Sequence, residues 1–211
     1  MENRKALDFF RKMAATNNEE NSVKLANNSD FTTLDAEFIL KYVNSSTHIL
    51  DLGAGTGLVV NKIYDKVEHI VAVEPFANFA KHIVQSNNIT IVNETILNFL
   101  PSKQFDIITI FAVMHYFNEK EAIEIYERYY PCLKYGGKLI IKNQFGVSHD
   151  VLVDGYSEEQ KSDYFAQYRH LQKEIEILDK IGYKNIEPFD IYPPECSRWN
   201  NTHFYAIVAE K

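Results

Sequence analysis

Apolar residues along this chain change their period repeatedly, and each change marks a different element. Residues 33–43 (TLDAEFILKYV) place Leu34, Phe38, Ile39 and Tyr42 or Val43 on one helical face, and Thr32 with Asp35 supplies a capping pair at its start. His48–Leu52 is a short apolar run ending at a glycine cluster, the pattern of a buried strand. A helix over Leu58–Tyr64, a strand over Ile70–Val73, a helix over Asn78–Gln85 and a strand over Ile89–Val92 follow. Phe105–Val113 (FDIITIFAV) is apolar throughout, as expected of a strand covered on both faces in a parallel sheet. Glu119–Leu133 reads as a helix running to a glycine stop at Tyr135-Gly136-Gly137, and Lys138–Lys142 as the fifth strand.

Strand and helix thus alternate five times, which implies right-handed crossovers and a doubly wound α/β fold. The last third leaves this rhythm. Residues 146–169 form an insertion with a turn at Asp154-Gly155, after which Ser157 and Gln160 predict a capping box opening a helix. A further helix over about 170–181 stops at Gly182. Two final strands, near Asn185–Tyr192 and Thr202–Glu210, are joined only by the loop PPECSRWNN and are expected to pair antiparallel. The expectation is a mostly parallel, seven-stranded sheet with an antiparallel last strand.

Composition narrows the partners. The 211 residues, 45% hydrophobic and 24% charged, amount to one domain with a modest elaboration. Against 22 Lys and Arg stand 29 Asp and Glu, a formal charge of −7, which opposes binding to nucleic acid through its phosphates. Cys132 and Cys196 have no metal-binding spacing, so no metal site is expected. The start, MENRKALDFFRKMAATNNEE, lacks the apolar run of a signal peptide, and no segment reaches the length of a membrane span. A cytoplasmic location without membrane contact is expected.

The segment ILDLGAGTG, Ile49 to Gly57, sits where a strand hands over to a helix. Glycines at 53, 55 and 57 permit a tight turn and close approach of a ligand to the backbone. Glu74 ends the second strand about 20 residues on, where a carboxylate can accept the hydroxyls of a ribose. A dinucleotide fingerprint would need glycine at 58, where this chain has Leu58, so a nicotinamide dehydrogenase is disfavoured. With Asp51 ahead of the glycines, residues 33–145 resemble the class I S-adenosylmethionine-dependent methyltransferases. The resemblance implies that S-adenosylmethionine is the cofactor and S-adenosylhomocysteine the product. By the same resemblance Gly53, Gly55 and Gly57 pass beneath the methionine moiety and Asp51 lies near its ammonium group. Glu74 would hold the ribose, Phe76 would lie against the adenine, and Glu94 would reach the adenine amino group beside Thr95. Phe111 and Ala112 would run past the methionine portion.

The segment after the fourth strand, FAVMHYF, brings His115 and Tyr116 to the pocket mouth in related small-molecule enzymes. Transfer to a hydroxyl requires removal of its proton, and His115 is the first candidate base. An antiparallel last strand would carry Tyr192–His203 to the same edge, with His203 as a second candidate base, Arg198 for an anionic group and Trp199 for a sugar or ring face. Asn143, at the end of the fifth strand, and Tyr156 and Tyr168, in the insertion, complete the expected acceptor site. Residues 1–32 are expected as a helical lid segment on a cofactor-binding domain 33–211, with residues 145–170 as a lid insertion. The expected activity is methylation, chiefly at oxygen, of a small polar metabolite such as a sugar, sugar nucleotide or surface-polysaccharide precursor. Methylation of RNA or protein is the rival enzyme reading, and a non-catalytic cofactor-binding module the rival outside catalysis. A monomer or homodimer is expected.

Overall fold

A computed structural model describes residues 3–16, 19–20, 31–157, 162–193, 196 and 199–211. Seven strands form one sheet: β1 (His48–Leu52), β2 (His69–Val73), β3 (Ile89–Val92), β4 (Phe105–Phe111), β5 (Leu133–Gly146), β8 (Lys184–Phe189) and β9 (Thr202–Glu210). Their order is β3-β2-β1-β4-β5-β9-β8. The first five pair in parallel, whereas β9 runs antiparallel to both β5 and β8. The expected doubly wound sheet with a reversed last strand is therefore the fold. β6 (Val151–Ser157) and β7 (Ser162–Tyr168) make a separate antiparallel pair.

Neighbouring residues of the central strands enter opposite cores, which is why these strands read as unbroken apolar runs. Leu50, Leu52, Ile108 and Ile110 join the cluster that includes Tyr126 and Tyr129 of α5 (Glu119–Tyr129) and Leu178 of α6 (Leu171–Ile181). Ile49, Ile70 and Ile107 pack with Ala36 and Phe38 of α2 (Thr32–Leu40) on the other face. The antiparallel pairing of β5 with β9 extends from Lys138↔Glu210 to Gly146↔Thr202 and lengthens both strands beyond the rest of the sheet.

Several elements depart from the sequence expectation, each for a local reason. Asp35 does not cap α2, which starts at Thr32 without a side-chain cap; Asp35 is buried and bonds elsewhere. The two helices expected over 58–64 and 78–85 shrink to α3 (Val60–Ile63) and α4 (Ala77–Ala80). Asn61 ties these segments together, donating to the His82 carbonyl (3.0 Å) and accepting from the Val84 N–H (2.9 Å). α5 opens with a capping box in which Asn118 and Glu121 exchange hydrogen bonds, and it closes where Pro131 shifts the chain into a 3₁₀ turn, Tyr130–Cys132. Gly136 and Gly137 are not a helix stop; they lie inside β5, where the β4–β5 register shifts between Phe105 and Ile107.

The largest departure is the insertion. The helix expected after Ser157 is instead β7, and Asp154-Gly155 lies within β6 rather than at a turn; Gln160, the other half of the expected capping box, lies outside the described residues. Tyr164, Ala166 and Tyr168 are buried at period two and face Val151 and Val153, the spacing of a strand. The N-terminal helix α1 (Asn3–Thr16) packs on this pair through Ala6 and Phe10, with Lys5 and Asp154 ion-paired at 2.7 Å. Its far end meets the start of α4, where Asn78 donates to the Ala14 carbonyl at 2.9 Å.

Candidate active site

The turn after β1 is set by glycine. Gly53 has φ +84°, and a Cβ there would lie 2.5 Å from a Val113 methyl. Its N–H and that of Ala54 bond to the Val73 carbonyl at 2.9 and 3.0 Å, tying the loop to the end of β2. Gly57 has φ +79°, and a Cβ would come within 2.8 Å of the Ile83 side chain, so it serves packing against the segment after α4.

Glu74, immediately after β2, is aimed at this loop. Its two carboxylate oxygens accept from the Gly55 and Phe76 N–H groups, both at 2.9 Å. Burial pushes its pKa up to about 7, against the pull of those two N–H groups and with a smaller upward contribution from Asp51. Asp51 is likewise raised to about 6 by burial, opposed by the Thr109 hydroxyl that donates to it at 2.5 Å. Two buried carboxylates of raised pKa beside a glycine loop are the arrangement that a cationic, hydroxyl-bearing ligand would relieve.

These residues line a cavity of about 330 Å³. Asp51, Gly53, Gly55 and Glu74 line it, as do Phe76 and Thr95. Phe111 and Ala112 continue the wall, with Ala112 held at φ +56° and its N–H bonded to the Lys142 carbonyl. Glu94 is exposed, and neither it nor Gly57 is among the residues lining the cavity.

His115 faces the same cavity from a 3₁₀ turn, Met114–Tyr116. Its Nδ1 lies 2.9 Å from Asn143 Oδ1, an acceptor only, so Nδ1 donates and Nε2 is the basic nitrogen. Asn143 therefore acts behind His115 rather than in the cavity wall. The imidazole stacks on the Tyr168 ring, with centroids 5.5 Å apart at 29°. Arg169 is buried and bonds to the Phe117 and Met114 carbonyls at 2.7 and 3.1 Å, bracketing His115. Glu174 of α6 holds the guanidinium through two bonds and also accepts from the Tyr126 hydroxyl.

The remaining candidates separate. Tyr116 and Tyr168 line the cavity. His203 does not; its Nε2 lies 2.7 Å from Asp190. Tyr156 is 60% exposed and away from the cavity, and Arg198 lies outside the described residues. Trp199 is outside the lining but donates to the Tyr168 hydroxyl at 3.1 Å.

Sequence reasoning missed an ion pair in the wall. Lys142 Nζ lies 3.0 Å from Asp35 Oδ2, and the Tyr192 hydroxyl donates to the same carboxylate at 2.9 Å. The rings of Tyr192, Phe111 and Phe204 surround the ammonium at 5.1, 5.5 and 5.7 Å. The available signal was a pair of opposite charges at positions that the apolar pattern buries: Asp35 in the helix and Lys142 in LIIKNQF. Missed too were Ala6, Leu7 and Phe10 of α1, which close the cavity near Tyr116 and Tyr164.

Among the described residues no three His, Cys, Asp or Glu side chains are grouped to hold a metal ion, and Cys132 and Cys196 are both free thiols. No helix among them is long and apolar enough to cross a membrane.

Residues 49–137 match the sequence model of a methyltransferase domain. An uncharacterized methyltransferase of Anoxybacillus flavithermus is 24% identical over 132 residues, an alignment covering 62% of this chain and 62% of that protein. The chain thus spans less than two thirds of the length of that relative. Among solved structures, the Burkholderia thailandensis 1,6-didemethyltoxoflavin-N1-methyltransferase, with S-adenosylhomocysteine bound, superposes with a TM-score of 0.75 at 13% identity, covering 99% of this chain and 89% of that one. The N-methyltransferase NodS of Bradyrhizobium japonicum, also with S-adenosylhomocysteine, gives 0.68 at 13% identity and covers 97% of each chain. At that identity the likeness is one of fold.

Proposed function

We propose that this chain, whose residues 49–137 match a methyltransferase domain, is a class I S-adenosylmethionine-dependent methyltransferase that methylates an oxygen of a small-molecule acceptor with His115 as the base. The observation that carries this reading is one cavity shared by the glycine loop, Glu74 and a histidine whose tautomer is fixed by Asn143.

The residues fit the cofactor. Each oxygen of Glu74 already accepts one main-chain N–H and keeps capacity for a second bond, as pairing with two ribose hydroxyls requires. Gly53 and Gly55 bring bare main chain to the cavity wall, Gly53 in a positive-φ turn packed against Val113, and Asp51 offers a buried negative charge to an ammonium group. Phe76 supplies a ring for the adenine and Thr95 a hydroxyl at the same end, whereas the exposed Glu94 is left out of this set. When bound, S-adenosylmethionine supplies a methyl group whose bond to sulfur breaks, leaving its electron pair on sulfur, as the acceptor oxygen forms the new bond.

The protein's work is alignment and proton removal. The acceptor's hydroxyl proton passes to His115 Nε2, and the Nδ1–H bond to Asn143 holds the ring in the tautomer that can take it. Arg169 fixes the turn that carries the ring. α1 and the β6–β7 pair cover the acceptor end, which supports lid roles for the segments 1–32 and 145–170. Methylation at nitrogen is the second reading, favoured because both solved neighbours described above are named N-methyltransferases. An amine that arrives deprotonated would need no base.

Calorimetry and labelled methyl transfer test the proposal. S-adenosylmethionine should bind more tightly than NAD, and label should enter an acceptor from a panel of small hydroxyl compounds and amines. Tighter binding of NAD would overturn the cofactor assignment. Label entering amines alone, with His115→Ala fully active, would replace oxygen by nitrogen.

A further inference from the structure

We propose that the end of the cavity enclosed by α1, β7 and the turn after β4 receives the acceptor through an aromatic ring, so that the substrate class is a hydroxyarene or hydroxy-heteroarene rather than a sugar. The inference rests on the methyltransferase reading, which assigns the glycine-loop end of the cavity to the cofactor and leaves this end to the acceptor.

The wall here is built of rings. Phe10 and Tyr116 meet edge to face at 5.1 Å and 82°, and Tyr116 and Tyr164 at 6.4 Å and 84°. Tyr168 stacks on the imidazole of His115. Such a surface offers ring faces and edges to a planar guest, the contacts that aromatic pairs favour beyond simple burial.

Several polar atoms of this wall are already bonded, to one another or to groups behind it. The Tyr164 and Tyr168 hydroxyls are 3.0 Å apart, Trp199 donates to Tyr168, and His115 Nδ1 is committed to Asn143. A sugar would bring several hydroxyls to a surface with few partners left for them, and each buried hydroxyl without a bond is penalised. An aromatic acceptor brings one polar group, the hydroxyl, and places it at His115.

Charge and acidity point the same way. Lys142 is the cation among the described lining residues, and Asp35 matches it at 3.0 Å, so the described wall presents no unmatched positive charge to a phosphate. A phenolic hydroxyl titrates at about 10, as tyrosine does, which brings it within reach of an imidazole base. An aliphatic sugar hydroxyl is far less acidic and would ask more of the same residue.

The chain's one tryptophan supplies a reporter that does not depend on turnover, because Trp199 bonds to a hydroxyl of the wall. The full-length protein, saturated with S-adenosylhomocysteine, is titrated with 2-naphthol and 4-hydroxyquinoline and separately with methyl glucoside and uridine diphosphate glucose. Calorimetry gives the affinities, and Trp199 emission at sub-saturating 4-hydroxyquinoline gives a local signal. The aromatic probes should bind at least tenfold more tightly than either sugar and change the Trp199 emission. Phe10→Ser should weaken them at least fivefold while S-adenosylhomocysteine affinity stays within twofold. Equal or tighter binding of a sugar, or no binding of the aromatic probes to protein that does bind S-adenosylhomocysteine, overturns this inference and leaves the methyltransferase reading standing. Failure to bind S-adenosylhomocysteine at all overturns both. The wild-type comparison decides the matter even where Phe10→Ser does not fold.

Discussion

The two ends of the cavity are built by different means. At the cofactor end, Gly53, Gly55 and Glu74 lie within a short stretch, and main-chain N–H groups fix the carboxylate at 2.9 Å. At the acceptor end, side chains far apart in sequence are brought together: Tyr192 bonds Asp35 across 157 positions, and Lys5 bonds Asp154 across 149. Backbone geometry that favours glycine is written locally, so it survives as a motif. A wall of rings from α1, β7 and the C-terminal loop exists only once the chain has folded. The first end is suited to a constant ligand and the second to a variable one.

The sharpest way to separate the ends is to remove the base. His115→Ala should lower kcat by about 10²–10⁴-fold, the range typical of a positioned base, while calorimetric affinity for S-adenosylmethionine stays within about twofold. A comparable loss of cofactor affinity would show that the ends are one unit. Breaking the support behind that residue comes next. Arg169 and Glu174 are both buried, and removing one partner leaves an uncompensated charge. Arg169→Met should cost about 3–5 kcal/mol in denaturant unfolding, and the Arg169→Met, Glu174→Met double variant less. If the double variant regained stability yet kept a low kcat with an unchanged cofactor affinity, the positioning role at Met114 and Phe117 would stand apart from stability.

The same contrast explains what the sequence disclosed. The alternation of strand and helix, the reversed β9 and the stop at Gly182, where φ is +119°, were legible because period, loop length and glycine are local signals. Asp51, Gly53, Gly55, Glu74 and His115 were legible for the same reason, and all line the cavity. β7 was misread as a helix because one Ser-x-x-Gln pattern outweighed the alternation Tyr164, Ala166, Tyr168. Asp35 was misread as a cap because its partners, Lys142 and Tyr192, are distant in sequence. His203 was placed at the correct edge, but alternation along β9 puts Phe204, not His203, in the cavity wall.

Smaller effects probe the cofactor end alone. Glu74→Gln removes the charge from its hydrogen bonds while keeping the side chain's size. The cofactor should bind more weakly by about 1.5–3 kcal/mol per charged bond lost, with kcat at saturation far less affected. A drop in kcat larger than the drop in affinity would mean that Glu74 reaches the reacting atoms.

The mildest test is pH. Burial raises Glu74 to about 7 and Asp51 to about 6, so the folded, cofactor-free protein holds these protons more tightly than the unfolded chain. Their contribution to stability is then fully present below the ordinary carboxylate range and is lost as pH rises through 6 and 7. The cofactor's ribose and ammonium favour the ionised carboxylates, so its affinity should move the opposite way. It should rise about tenfold per pH unit as Glu74 ionises and level off above about 7. Calorimetry from pH 5.5 to 8.5 measures this, and Glu74→Gln should remove the upper limb while leaving the one that belongs to Asp51. Acceptor binding to protein saturated with S-adenosylhomocysteine should lack the Glu74 limb altogether, since Glu74 lies at the other end of the cavity. An acceptor affinity that followed Glu74 would mean that the two ends share its proton, and the division drawn between them would fail.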